Sequence, residues 1–245
     1  WKGERVNAEA VLWAEQPLSL VSVSASELRS GKNVIPACAV EPKFIGYVMG
    51  DVLAEEYGQC GSRIKSEWDS VKVADIIGVS DIINVKKDNA QPVWVSVNVP
   101  RDAAAGTYKG TISLRAQELK APLTLSYTIQ VVDRVLPEAH EWPFFLDLWQ
   151  NPYAVARYHN VPLWSEAHFK FMRPVMEKLA SAGQKVITTT ILNRPWNGQT
   201  EDPFGPMVTK ILRADGTWMY DYTIFDKWVE FNFATGNGRS IECYS

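Results

Sequence analysis

The 245-residue chain changes its hydrophobic period at Leu136-Pro137, and no single layer of structure serves both halves. Before that point Val93–Val99 reads V-W-V-S-V-N-V, the strict alternation of a half-buried strand, and Leu123–Val132 alternates in the same way. Val6–Trp13 and Leu18–Val23 are further β-rich runs, the second alternating apolar residues with serine. Pro100, Gly106 and Gly110 turn the chain between Val93–Val99 and Thr111–Arg115. Strands parted by turn signals, without a strong helix, predict a β-sandwich over residues 1–137, with Trp13 and Trp94 in its core. Asp51–Asp88 is less regular and reads as an insertion with one short helix.

Beyond Pro137 the pattern alternates strand and helix. Pro143–Leu148 is a short apolar run that reads as a strand. Ser165 is placed as an N-cap, with Glu166 in the first turn, where negative charge suits the helix dipole. Phe169, Met172, Met176, Leu179 and Ala180 then share one helical face, and Gly183 ends the helix. Pro174 removes one backbone hydrogen bond within it and predicts a kink. Lys185–Ile191 is continuous and β-branched, as a strand buried on both faces requires. Met207–Tyr222 reads as a hairpin turning at Asp215-Gly216. Thr223 with Asp226 has the pattern of a capping box opening a helix through Phe233, ended by Gly236 and Gly238. Ser240–Ser245 is a third strand. Residues 141–245 therefore read as the first three strands of a truncated (β/α)8 TIM-type barrel, which needs eight.

Charge and composition exclude several partners. The 25 basic and 28 acidic residues give a net charge of −3 with no basic run, which argues against nucleic acid and anionic membrane surfaces. No apolar stretch reaches the roughly 18 residues of a membrane span. Cys38, Cys60 and Cys243 are scattered and form no disulfide framework. His140, His159 and His168 lack the i, i+4 spacing of a helical metal pair, so neither metal nor cofactor is expected. The chain opens at Trp1 without a signal-like segment, and the reading is that its natural N-terminus has been removed.

The stretch E-W-P-F-F-L-D-L-W-Q-N-P-Y-A-V-A-R-Y-H-N, residues 141–160, sets an isolated carboxylate among aromatic rings where a strand hands over to a loop. Parallel α/β proteins place binding groups at such handovers. Indole and phenol rings offer flat faces with polar tips, which suit a sugar ring. The expected substrate-binding residues are Asp147, Trp149 and Asn151 after the first strand, with His159 in the loop. Asn193, Arg194, Trp196 and Asn197 follow the second strand, and Glu242 and Tyr244 lie on the third. Trp149 or Trp196 would stack on the sugar, while Asp147, Arg194 and Asn197 would bond its polar groups. Asp147 reads equally well as a carboxylate paired with Arg157, and His159 reads more readily as a loop histidine holding local structure. Tyr222 and Trp228 read as packing residues.

Four segments resemble the bacterial glycoside hydrolase family 123, of the type found in gut Bacteroidetes. They are P-V-W-V-S-V-N-V-P-R-D-A-A-A-G-T-Y-K-G at 92–110, L-D-L-W-Q-N-P-Y-A-V-A-R-Y-H-N at 146–160, A-G-Q-K-V-I-T-T-T-I-L-N-R-P-W-N-G-Q-T-E-D at 182–202 and D-G-T-W-M-Y-D-Y-T-I-F-D-K-W-V-E-F at 215–231. The resemblance implies an N-terminal β-sandwich followed by a (β/α)8-type catalytic barrel. It implies exo-action on terminal β-linked N-acetylgalactosamine, so that the partner is a glycan carrying that sugar, and a periplasmic or extracellular location. The implied mechanism is substrate-assisted retention, an exception to the scheme of two catalytic carboxylates. In it the acetamido oxygen attacks the anomeric carbon, an Asp steadies the acetamide, and the Glu that follows protonates the leaving oxygen.

No Asp-Glu dipeptide occurs in residues 1–245, and Glu201-Asp202 has the reverse order in a stretch that reads as turn chemistry. No catalytic residue is therefore assigned here. The pair is expected beyond Ser245, and residues 1–245 alone are expected to be inactive. The alternatives are a non-enzymatic carbohydrate-binding module and a structural or assembly domain. The cut barrel edges at Pro143–Leu148 and Ser240–Ser245 are expected to promote self-association.

Overall fold

A computed structural model of the chain describes residues 1–50, 70–78, 80–196 and 200–244. These divide into two compact units, Trp1–Leu136 and Pro137–Ser245.

Among the described residues, the elements of the first unit are strands apart from one short 3-10 turn. Its strands are β1 (Arg5–Ala14), β2 (Leu18–Ala25), β3 (Leu28–Ser30), β4 (Asn33–Ile35), β5 (Val40–Gly50), β6 (Val71–Ile77), β7 (Ile82–Val85), β8 (Asn89–Asn98), β9 (Gly106–Arg115) and β10 (Leu123–Val131). One antiparallel sheet has the order β1-β8-β5-β6. In the other, the order is β4-β3-β9-β2-β7, with β10 on the free edge of β9. Both contribute to one core that includes Leu12, Phe44, Val93, Val95 and Val97 from the first sheet and Val21, Leu28, Tyr108 and Ile112 from the second. At Gly110 a Cβ would stand 3.1 Å from Leu28 and 3.3 Å from Tyr127, so any larger residue would push these side chains back from β9.

Two expectations for this unit need correction. Within Asp51–Asp88 the described residues form strands β6 and β7, not an irregular insertion, and residues 51–69 and 79 lie outside the description. Trp13 is 58% exposed, and Trp94 is only half-buried, donating its indole N–H to Asn7 Oδ1 at 3.2 Å. The period of two that buries Leu12, Ala14, Val93 and Val95 turns the tryptophans to the opposite face.

The second unit contains α1 (Pro152–His159), α2 (Glu166–Ser181), β11 (Val186–Thr190), β12 (Thr209–Leu212), β13 (Trp218–Asp221), α3 (Thr223–Ala234) and β14 (Ser240–Tyr244). β11 is buried along its whole length and pairs in parallel with β14, from Val186↔Ser240 to Thr190↔Tyr244. α2 begins as read: Ser165 Oγ accepts the His168 N–H, and Gly183 follows its end at φ +88°. Met172 and Met176 on its inner face meet Ile187, Met207, Trp228 and Phe231 in one core. Trp228 ties α3 to β11, its indole N–H donating to the Thr188 carbonyl at 2.9 Å.

The hairpin β12–β13 turns at Gly216, as its Asp-Gly dipeptide requires. Asp226 does not cap α3. Asp221 Oδ1 instead accepts both the N–H and the hydroxyl of Thr223, at 2.9 and 2.6 Å. Residues 152–159 are helix rather than loop, because Asn151 Oδ1 caps the Ala154 N–H and Pro152 stands at the first helical position, where its missing N–H costs nothing.

The largest departure concerns Pro143–Leu148. This run is not a strand: among the described residues its only ladder contact is the parallel bridge Leu146↔Gln184, and Phe144 and Phe145 are exposed. The unit therefore has two parallel strands and a bridged segment where three strands were expected.

Candidate functional site

The bridged segment carries Asp147 and Trp149, and β14 carries Glu242 and Tyr244. The Trp149 ring lies 5.2 Å from Tyr244 and 5.5 Å from Trp196, and Trp196 lies 4.8 Å from Tyr244. The three rings close a triangle. Phe204, edge-on to Trp196 at 4.6 Å, backs it from the following loop. Trp149 is 59% exposed, so the triangle leaves a flat apolar face open to solvent.

Beside it two carboxyl groups meet. Glu242 and the Trp149 indole both act on the Asp147 carboxyl, Glu242 raising its proton affinity and the indole lowering it. Burial, then the charge of Glu242, hold Asp147 above the ordinary carboxylate value. Its Oδ1 is buried and has no hydrogen-bond partner. Burial and contact with Glu242 push the Tyr244 hydroxyl up to about 12, so it keeps its proton throughout the neutral range. The corner therefore sets a protonated phenol and two carboxyl groups beside an apolar face, a mixture of polar and flat groups that can take a ring bearing hydroxyls.

Arg194 and Trp196 line an adjoining recess of about 190 Å³, closed by Thr200, Glu201, Asp202 and Phe204. That volume falls below the roughly 300–1,000 Å³ of a complete small-molecule site, so the recess suits one edge of a ligand. Arg194 adopts φ +53° and is held through its N–H by the Phe204 carbonyl at 2.8 Å.

Five of the ten residues expected at the site thus come together: Asp147, Trp149, Trp196, Glu242 and Tyr244. Arg194 lines the recess beside them, and Asn193 is exposed in the same loop. Asn197 lies outside the described residues. Asn151 is spent on capping α1, and His159 stacks on Phe171 at 4.0 Å, on the surface of α1 and α2. The pairing of Asp147 with Arg157 does not form, because Arg157 is bidentate to Asp202, at 2.7 and 3.1 Å. Sequence reasoning missed Phe204 and the buried Gln150 and Gln184 beneath the site.

The first 116 residues match the family model described as the glycoside hydrolase 123 N-terminal domain, and residues 149–245 match that of the glycoside hydrolase 123 catalytic domain. This chain is a glycoside hydrolase family 123-like protein. No curated protein matches it. It is also similar to the solved structure of a family 123 glycoside hydrolase from Clostridium perfringens, reported for the details of glycolipid glycan hydrolysis. The TM-score is 0.89 at 27% identity, covering 100% of this chain and 43% of that one. The chain thus spans less than half the length of this family 123 relative. The aromatic triangle and acid pair lie within the part that matches the catalytic-domain model, except for Asp147, two residues before it.

Proposed function

We propose that the chain forms one wall of the sugar site of a glycoside hydrolase acting on terminal β-linked N-acetylgalactosamine by substrate-assisted retention. In this reading the first unit is the family's β-sandwich and the second the opening part of its catalytic barrel. Trp149 is the stacking surface, and Asp147 and Glu242 bond ring hydroxyls or the acetamide. The observation that carries the reading is the open Trp149 face set beside an unpartnered carboxyl oxygen, within a match to the family's catalytic domain. The hydrolytic character of the family 123 relative from Clostridium perfringens supports it.

The acid that protonates the leaving oxygen is not assigned to any residue here, since the sequence holds no Asp-Glu dipeptide. Glu201 is 79% exposed on its side chain and Asp202 is engaged by Arg157, so neither is placed for that role. A binding module that uses the same wall without chemistry is the second reading, and the completeness of the aromatic triangle within this chain favours it.

Calorimetric titration with N-acetylgalactosamine and assay on an aryl β-N-acetylgalactosaminide decide between them. The expected result for residues 1–245 is binding without turnover, with turnover by a longer parent protein carrying the Asp-Glu pair. Binding without turnover by that parent would favour the module. Turnover by residues 1–245, abolished by Glu201→Gln, would overturn the placement of the chemistry.

A further inference from the structure

The bridged segment and β11 run side by side, yet past Leu146 they share no backbone ladder. Lys185 N–H donates to the Leu146 carbonyl at 2.9 Å, and there direct pairing stops. From that point two buried glutamine side chains stand between the chains. Gln184 Oε1 accepts the Leu148 N–H at 2.9 Å, while its Nε2 donates to the carbonyls of Val186 at 2.7 Å and Leu148 at 3.1 Å. Gln150 Oε1 accepts the Thr188 N–H at 2.7 Å, and its Nε2 donates to the same two carbonyls. The Gln150 N–H closes the set on Thr188 Oγ1 at 3.3 Å.

Leu148 N–H and C=O, Val186 C=O and Thr188 N–H are the groups a parallel ladder would use, and each meets an amide instead. Both glutamines are 4% exposed, so water does not substitute for them. Each amide is oriented by its own partners, with its oxygen on an N–H and its nitrogen on carbonyls. A direct ladder would hold the two backbones about 4.8 Å apart. A layer of amides wedges them wider on the side of Asp147 and Trp149, while the Leu146 bridge pins the other end.

We propose that Gln184 and Gln150 are positioning residues for the sugar wall: their amides set the spread between segment 146–150 and β11, and through it the stand of Asp147 and Trp149 against Glu242 and Tyr244. Leu148, held by Gln184, lies between Asp147 and Trp149 in sequence, so any shift of the bracket moves both. This role rests on the sugar-binding reading above for its consequence, and on the hydrogen bonds alone for its geometry.

The test uses the 245-residue chain with Gln184→Leu, in a Trp149 and in a Trp149→Phe background. Trp149 packs against Trp196 and Tyr244, so Trp149→Phe changes the near-ultraviolet circular dichroism of the wild type. In Q184L that difference spectrum is expected to collapse, and calorimetric affinity for N-acetylgalactosamine to fall by about tenfold or more, as displaced binding groups cause. Gln184→Glu is expected to recover part of each, and only at a pH low enough to protonate the carboxyl, since an ionised carboxylate donates nothing and a neutral one has a single O–H for the two carbonyls. If Q184L does not fold, Gln150→Met is read by the same two measurements. A folded variant lacking the amide that keeps both the difference spectrum and the affinity would overturn the proposal. A wild type that binds no sugar would sink the glycan reading, while the spectral comparison would still decide the bracket.

Discussion

Asp147 and Glu242 meet carboxyl to carboxyl, one on a segment that only bridges to β11 and the other within β14. Burial, and after it the charge of Glu242, disfavour the ionised form of Asp147 and raise its pKa in the native state. In the unfolded chain the same group releases its proton at its ordinary value of 3.8.

The sign of the pH effect follows. Below that value both states are protonated, and the contact carries no penalty. As pH rises from about 4 toward the higher native value, the unfolded state sheds its proton first, so stability falls. Asp147→Asn removes this component. Denaturant unfolding across that range should show the wild type losing stability relative to the variant as pH rises. Parallel profiles would show that the fold leaves the proton affinity of Asp147 unchanged.

Trp149 offers an open face, and its ring contacts are with Trp196 and Tyr244. Trp149→Ala should weaken N-acetylgalactosamine binding about tenfold, the scale of an interfacial aromatic anchor. Because the residue is 59% exposed, stability should change by less than about 1 kcal/mol. Calorimetry and urea unfolding on the same preparation separate the two effects. Unchanged affinity would remove Trp149 from the site.

Much of this was legible in the sequence where one periodicity acted alone. The alternating runs at Val93–Val99 and Leu123–Val132 fell on β8 and β10, and continuous Lys185–Ile191 became the buried strand β11. Trp13 and Trp94 were misplaced by weighing size over phase: their valine, leucine and alanine neighbours already claimed the inner face. α1 carried an Asn-Pro start signal that its aromatic content obscured. The amide bracket had no readable sign, because Gln150 and Gln184 meet only through pairing that is long-range in sequence. The same holds for Asp147, whose neighbour Glu242 lies 95 residues away in the chain.

His168 predicts a pH dependence of the opposite sign. It is fully buried at the first turn of α2, with Nδ1 accepting the Trp164 N–H at 3.0 Å and Nε2 on the Pro152 carbonyl at 2.8 Å. An Nε2-protonated neutral ring satisfies both contacts, and a second proton would break the first. Burial accordingly holds its pKa below the ordinary 6.5. As pH falls below 6.5 the unfolded histidine takes a proton that the native one resists, and stability declines. His168→Gln should lie below the wild type at neutral pH but follow a flatter profile between about pH 7 and 5. Equal slopes would mean that the ring gains its proton without cost, against the two hydrogen bonds it makes.

The Arg157–Asp202 pair should matter to the sugar wall although neither residue belongs to the aromatic triangle. Asp202 is 9% exposed on its side chain and lies in the stretch that brings Phe204 against Trp196. Arg157 reaches it from α1 with Nε on Oδ1 and Nη2 on Oδ2, a fork that an ammonium cannot reproduce. Three substitutions should therefore rank in order of damage. Arg157→Ala should destabilise most, because it leaves a buried carboxylate without its cation. Arg157→Lys should fall between it and the wild type, keeping charge without the fork. Asp202→Asn should be mildest, since its amide oxygen still accepts from Arg157. Tryptophan emission should shift in the same order as Phe204 loosens from Trp196, and affinity for N-acetylgalactosamine should follow it. A ranking in which Arg157→Lys equals the wild type would reduce the pair to surface electrostatics, screened by salt and without influence on the rings.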